Sequence, residues 1–446
     1  MIKFLILGTL ILGFVSCGCI SPQQTIMTAN SSINLTTYPS ISPTVSPTAL
    51  IVVQSTPVTA SPTLSPEKAS YEKGVSFYDQ KKYQEAINAF NTTISLNATN
   101  GDACLARGKA FYQIGRMKTY EIRGDEEFDQ AINDFTQALT FGGNNSEIFS
   151  LRGWAYYWKG QASGARHVHG RYAKASFPLF ELASADFSRI ILDNPDNVDA
   201  LIGRARANSR IGGGSSEPEY QRNSQKLELA QKDAQRAYNL EPKNPEVNFA
   251  LWRVGTYDKT PPEILIKPLD KAILYDPGEA WYYFQRGGLR KTMNDYEGSL
   301  NDFNKAIELQ PRFVAAYQEK AEIFVLEDKY GEGLVTAQKS LEINPNLGTD
   351  WATFARIQYL FLNSKTSAGL DECIKSIDRA IAMDPESAMY HQNRYVYLSV
   401  ANRWNEAREE VKIFKTLINT NEERQMAELM DYQCSLQYYD NTLIQY

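Results

Sequence analysis

From Glu67 onward, apolar side chains return every three or four positions, the spacing of a helix with one buried face. The segments ADFSRIILDNP (185–195), LDKAILYDP (269–277), NDFNKAIELQP (301–311), AQKSLEINP (337–345) and IDRAIAMDP (377–385) share one design. Each is an amphipathic stretch closed by a proline, which lacks the N–H a continuing helix needs. The prolines keep phase: Pro242, Pro277, Pro311 and Pro345 are spaced by 35, 34 and 34 residues, with Pro195 47 before them and Pro385 40 after. The pattern predicts an all-α chain of repeated units. A single unit of this size cannot bury its apolar face, so neighbours must stack.

Small residues and aromatics recur in register with the prolines. With the proline at position 32 of a 34-residue unit, residues 280–313 carry Gly287 at 8, Ser299 at 20, Phe303 at 24, Ala306 at 27 and Pro311 at 32. The next unit has Ala321, Gly333, Ala337, Ser340 and Pro345. Earlier units are marked by Gly74, Ala86 and Phe90, by Gly108, Ala131, Phe135 and Ala138, by Gly153, Ala183, Phe187 and Pro195, and by Ala205, Ala230, Ala237 and Pro242. A degenerate fifth passes through Trp252, Ala272 and Pro277; the eighth and ninth carry Trp351, Ala355, Ala380 and Pro385, then Tyr395 and Ala407.

This pattern resembles the tetratricopeptide repeat (TPR), a helix–turn–helix unit of ~34 residues. The resemblance implies an all-α solenoid of about nine units over residues 67–419, with 420–446 as a capping helix. It implies that the small positions lie where helices approach closely, and that Cys104, Cys373 and Cys434 are buried free thiols. Basic residues at position 7 (Lys73, Arg107, Arg152, Arg204, Arg286, Lys320 and Arg394) are expected to snorkel past the packed face.

Three units depart from the family. Gly108 to Ala131, Gly153 to Ala183 and Ala205 to Ala230 span 23, 30 and 25 residues, against ~12 in the repeat. Loops around 114–128, 159–180 and 209–226 are therefore expected side by side along one edge; the alternative is that the extra residues lengthen the two helices. Ile148 to Phe180 holds no acidic residue but interleaves Arg152, Lys159, Arg166, Arg171 and Lys174 with Trp154, Tyr156, Tyr157, Trp158 and Tyr172. Such a stretch either recognises an anionic surface or divides into aromatic core and solvated cations. His167 and His169 have no third ligand nearby, and Arg166 and Arg171 would repel a cation, so no metal is expected. Gly212-Gly213-Gly214 lacks the Lys and Ser/Thr of a phosphate loop, and no cofactor fingerprint is present.

In the family, positions 2, 5, 9, 12 and 13 of the first helix face the concave groove. Position 9 holds Lys109, Arg206, Arg253 and Arg356, and positions 5 and 12 add Tyr71, Tyr78, Tyr112, Tyr157 and Phe284. These residues predict an extended, partly anionic peptide or protein ligand. No unit has both the Lys at 5 and the Asn at 9 of the family's carboxylate-clamp subtype, so binding of chaperone tails is not implied.

The chain before Glu67 has a different character. Lys3 precedes an apolar run from Phe4 to Ser16, followed by Cys17-Gly18-Cys19, and Phe4 to Pro66 carries no charge over 63 residues. A positive start, an apolar run and small residues are the order of an export signal. Gly18-Cys19 resembles a lipobox, which would make Cys19, or Cys17, the lipidated residue and residues 1–19 the signal or anchor. An uncleaved anchor and full release are the alternatives, and all three place the rest outside the cytoplasm. Residues 20–66 read as a disordered tether: Ser, Thr and Pro make up 25 of the 46 residues from 21 to 66, too little core-forming material to offset ordering.

Composition then narrows the function. A net charge of −6 argues against a strongly cationic nucleic-acid binder, and three histidines leave little for His-based catalysis. No catalytic segment remains once signal, tether and repeats are assigned. The expected protein is a non-enzymatic binding scaffold, membrane-anchored and extracytoplasmic, with a protein or peptide partner. The alternatives are a TPR lipoprotein assisting assembly of pili or envelope complexes, and an envelope enzyme using the inserted loops.

Overall fold

The structure is a computed structural model describing residues 64–121, 124–142, 145–165, 172–213, 223–257, 260–362, 366–418 and 420–443. Cys17, Cys19 and the tether up to residue 63 lie outside the described residues, as do His167 and His169. The apolar period appears as nineteen helices among the described residues, with no strand. Consecutive helices form nine hairpins, each a helix A followed by a helix B. Unit 1 is α1 (Pro66–Asp79) and α2 (Tyr83–Leu96), unit 2 α3 (Gly101–Thr119) and α4 (Asp125–Thr140), and unit 3 α5 (Ser146–Ala165) and α6 (Tyr172–Asp193). Unit 4 is α7 (Val198–Gly213) and α8 (Ser224–Leu240), unit 5 α9 (Pro245–Gly255) and α10 (Pro262–Tyr275), and unit 6 α11 (Ala280–Thr292) and α12 (Tyr296–Leu309). Unit 7 is α13 (Val314–Leu326) and α14 (Tyr330–Ile343), unit 8 α15 (Gly348–Phe361) and α16 (Ser367–Met383), and unit 9 α17 (Ala388–Val400) and α18 (Trp404–Leu417). The last helix, α19 (Asn421–Leu443), packs on α18. None of the described helices is long and apolar enough to cross a membrane.

The recurring small residues are where the helices touch. The ring at position 24 lies against the backbone at position 8: a Cβ on Gly74 would stand 2.5 Å from Phe90, one on Gly108 2.8 Å from Phe135, and one on Gly287 2.8 Å from Phe303. Those distances are below contact, so only glycine lets the two helices close. Ser299, in place of the usual Ala at 20, is fully buried and donates its hydroxyl to the Gly287 carbonyl at 2.7 Å. The three described cysteines, Cys104, Cys373 and Cys434, are buried and free.

The position-7 arginines do not snorkel. Arg107, Arg152, Arg204 and Arg286 each clasp a buried carboxylate at position 23 of their own unit through two bonds of 2.7–2.9 Å, to Asp134, Asp186, Asp233 and Asp302. The planar fork suits a carboxylate, and the pairing satisfies a charge that could not otherwise be buried. The same guanidinium reaches position 25 of the preceding unit: Asn91 for Arg107 at 2.7 Å, Thr136 for Arg152 at 3.2 Å, Ser188 for Arg204 at 3.4 Å and Asp270 for Arg286 at 2.8 Å. Arg394 repeats the clasp with Glu410 and Asp378. Each clamp ties three helices.

The extra residues of units 2 and 3 are largely helix. α3, α5 and α6 have 19, 20 and 22 residues, against 13 and 14 for α11 and α12. In units 1, 6, 7 and 9 the A–B turn is tight, with Lys81, Asn294, Asp328 and Asn402 in the left-handed region at φ 57–60°. The overhanging end of α3 instead crosses to distant units. Tyr120 stacks on Trp281 at 5.7 Å, meets Phe313 edge-on at 4.9 Å and donates its hydroxyl to Glu279 at 2.8 Å. Its carbonyl accepts from the Val314 N–H at 2.8 Å. Glu121 pairs with Arg312 at 2.5 Å, and its carbonyl accepts from Asn344 at 2.9 Å. Unit 2 is thereby joined to units 6 and 7 across the array.

Candidate functional site

Helix A packs on the next helix A along much of the array: α1 on α3, α3 on α5, α5 on α7, α7 on α9, α11 on α13 and α15 on α17. The A helices therefore form the inner row, and the predicted groove residues divide along it. Tyr71 and Tyr78 belong to the unit 1 cluster, against Phe90 at 5.8 Å and Tyr83 at 5.4 Å. Lys109 pairs with Glu147 at 2.5 Å. Arg356 lies 3.9 Å from Glu322 in units 7 and 8. Phe284 packs on Phe313 at 4.8 Å, beside the Tyr120 crossing. Tyr157, Arg206 and Arg253 come together, with Tyr112 on the preceding helix A.

Arg206 is not an exposed groove cation. It is 3 % exposed, pairs with Glu246 at 2.5 Å, and lies about 5 Å from the ring centres of Tyr157 (5.0), Trp154 (5.1) and Phe249 (4.9). Aromatic faces stabilise a guanidinium that has lost water. The second oxygen of Glu246 accepts from Tyr282 at 2.6 Å, so both oxygens of this carboxylate are hydrogen-bonded. Arg210, one turn beyond Arg206, donates to Tyr257 at 3.3 Å, and Arg253 lies 4.6 Å from the Trp252 ring. On the neighbouring overhang, Arg116 stacks on Trp158 at 3.8 Å.

The charge of this chamber is unbalanced. Burial alone would raise the Tyr157 hydroxyl, but the charges of Arg206, Arg253 and Arg210 outweigh it and bring its pKa down to about 8. Burial, and then repulsion from Arg210, lowers Arg253 to about 10. Burial and the charge of Glu246 push Tyr282 in the opposite direction, well above the usual tyrosine range. Several donors have no acceptor among the described residues: Nε of Arg206, Arg210 and Arg253, the Tyr157 hydroxyl, and the indole N–H of Trp158 and Trp252.

Arg210, Glu246, Trp158 and Arg116 were not singled out from the sequence as groove residues. Position 13 holds Arg210 and position 2 holds Glu246, both in the set that faces the groove, so extending the register count to those positions would have found them. Arg116 sits on the helical overhang, where the repeat register ends. Two aromatics of the basic stretch from 148 to 180 are core, Tyr157 fully buried and Trp158 5 % exposed, while Trp154 and Tyr156 are partly buried against them. Its described cations are paired, Arg152 with Asp186 and Lys159 with Asp129. Among the described residues, no group of three or more His, Cys, Asp or Glu side chains is placed to hold a metal ion.

Two stretches match tetratricopeptide-repeat family models, residues 71–119 and residues 282–313. No curated protein matches the sequence. Among solved structures, yeast Tom70 is 15 % identical over 84 % of this chain and 96 % of its own, with a TM-score of 0.38. PilF of Pseudomonas aeruginosa is 18 % identical over 51 % of this chain and 98 % of its own, with a TM-score of 0.40. YrrB, described as a TPR protein with an unusual peptide-binding site, is 16 % identical over 44 % of this chain and 97 % of its own, with a TM-score of 0.34. The matched segments fall in units 1–2 and 6, and the other helix pairs repeat the same A–B hairpin, so the chain carries tetratricopeptide repeats, an arrangement that supports a protein-binding scaffold.

Proposed function

We propose that this protein is a non-enzymatic scaffold held outside the cytoplasmic membrane by a lipidated Cys19, or Cys17, and a Ser/Thr/Pro tether, and that it binds a peptide or protein partner along its inner row of A helices. The observation that carries the reading is the unbroken succession of nine helix pairs. Almost the whole described chain serves to hold one extended surface, and that economy suits recognition. The 63 uncharged residues between Lys3 and Glu67 support an exported, tethered arrangement. At ~3.1 Å per residue the tether would reach on the order of 100 Å, far enough to meet partners away from the bilayer.

The test has two arms. Cells fed a palmitate analogue should label the protein, and the label should vanish when Cys17 and Cys19 are both replaced; label that survives, or no label in the native protein, removes the lipid anchor. Cross-linking in intact membranes followed by quantitative mass spectrometry should give one stoichiometric protein partner. Turnover of a cell-wall or glycan substrate by the purified protein would overturn the non-enzymatic reading.

A further inference from the structure

The chamber formed by α5, α7 and α9 holds more positive charge and more hydrogen-bond donors than the described residues use. Three guanidinium groups, on Arg206, Arg210 and Arg253, act on the Tyr157 hydroxyl, Arg206 from 5.0 Å above its ring, and among the described residues Glu246 is the carboxylate paired with Arg206. Its two oxygens accept from Arg206 and Tyr282. Among the described residues two positive charges are left over, and the Nε of each arginine lacks an acceptor, as does the Tyr157 hydroxyl. Arg206, Tyr157 and Trp252 are each more than nine-tenths buried, yet each keeps an unpartnered polar atom. A buried donor without an acceptor is costly, and clustering of several is uncommon in folded proteins.

What would satisfy the cluster is restricted by chemistry. Arginine offers only donors, so the occupant must be an acceptor, and the net charge requires an anion. A planar two-oxygen group suits guanidinium forks. Arg210 and Arg253 are half-buried and so reachable, whereas Arg206 is fixed by its carboxylate and its rings. From this geometry we infer that Arg210, Arg253 and the Tyr157 hydroxyl form a carboxylate-binding pocket on the inner face of units 3–5, with Arg206 as the positioning residue, which takes an acidic side chain or C-terminus of a bound peptide. The inference rests on the peptide-binding reading above and names the chemistry of the ligand. Inorganic phosphate and small dicarboxylates share that chemistry and serve as competing probes.

The experiment uses the full chain without its signal segment. Binding of a hexaglutamate peptide, glutarate and inorganic phosphate is measured by calorimetry at low and moderate salt. Tyrosinate absorbance is followed in parallel between pH 6.5 and 11. Hexaglutamate should bind, and Arg210→Gln or Arg253→Gln should weaken it at least tenfold, while the exposed control Arg189→Gln leaves it within twofold. One tyrosine should ionise near pH 8, disappear in Tyr157→Phe, and shift upward when hexaglutamate is added. The spectroscopic arm reads the pocket even if a variant loses stability. Equal affinity in the arginine variants overturns the pocket, as does a Tyr157 titration that hexaglutamate leaves unmoved. Binding of phosphate without hexaglutamate overturns the peptide carboxylate in favour of a free oxyanion. If none of the probes binds but membrane cross-linking still yields a partner, the pocket falls while the scaffold reading stands.

Discussion

The crossing from unit 2 to units 6 and 7 makes this solenoid more than a chain of neighbours, and Tyr120→Ala should show it. Stability in repeat arrays is ordinarily a sum of unit terms and nearest-neighbour interfaces. Tyr120 lies 159 residues from Glu279, so its bond cannot belong to either term. The side chain is 8 % exposed between Trp281 and Phe313. Truncating a buried aromatic to alanine costs about 3–5 kcal/mol. Tyr120→Phe keeps the rings packed and removes one bond to a carboxylate, worth about 1.5–3 kcal/mol. Its cost should fall at the lower end, because Glu279 still accepts from the Trp281 N–H at 3.0 Å. Hydrogen exchange read by mass spectrometry should show protection falling together in α3, α11 and α13 in Tyr120→Ala. Met117→Ala, on the same overhang but 61 % exposed, should leave all three unchanged. Loss of protection confined to α3, with α11 and α13 untouched, would refute the crossing.

Three further outcomes follow from the packing. Ala306 is fully buried in the cluster that holds Tyr120, so Ala306→Leu should cost about 1–3 kcal/mol by overpacking, visible as a lower melting temperature. Arg286→Met leaves Asp302, 3 % exposed, facing Arg290 alone; it should cost about 3–5 kcal/mol, and adding Asp302→Leu should recover much of that in a double-mutant cycle. His391 sits with Nδ1 2.7 Å from Glu410 and Nε2 2.9 Å from the Pro385 carbonyl; both partners accept, so the ring must carry both protons. Burial would lower its pKa, but Glu410 and the Pro385 carbonyl raise it above the ordinary value. The stability it contributes is therefore complete below ~6.5 and lost as pH rises through the raised native value. Thermal melts from pH 6 to 9 should show that loss in the native protein and a flatter profile in His391→Gln.

Much of the fold was readable before any coordinates. The proline phase and the small residues at positions 8, 20 and 27 are local consequences of two helices closing on each other, and such contacts repeat where the sequence repeats. The position-7 arginines were visible but misread, because their partners at positions 23 and 25 lie on different helices and carry no motif of their own. The groove was half legible. Counting to position 9 found Arg206 and Arg253, but counting cannot tell an exposed cation from one sealed against Glu246 and three aromatic rings. The Tyr120 crossing was beyond reach, since it depends on how far the array turns between units 2 and 6, a property of accumulated small rotations rather than of any single residue.

The arginine clamps give the array a direction. Each guanidinium leans on its own helix B and on the helix B before it, never on the one after. Removing units from the C-terminal end leaves every remaining clamp complete. Removing them from the N-terminal end up to a unit that carries a clamp strips its arginine of one partner, as Arg286 would lose Asp270 if units 1–5 were cut away. The two ends of the chain are therefore not equivalent as places to shorten it. A growing polypeptide meets the same asymmetry in the favourable order, since each of these arginines emerges after the carboxylate, amide or hydroxyl it must lean back upon.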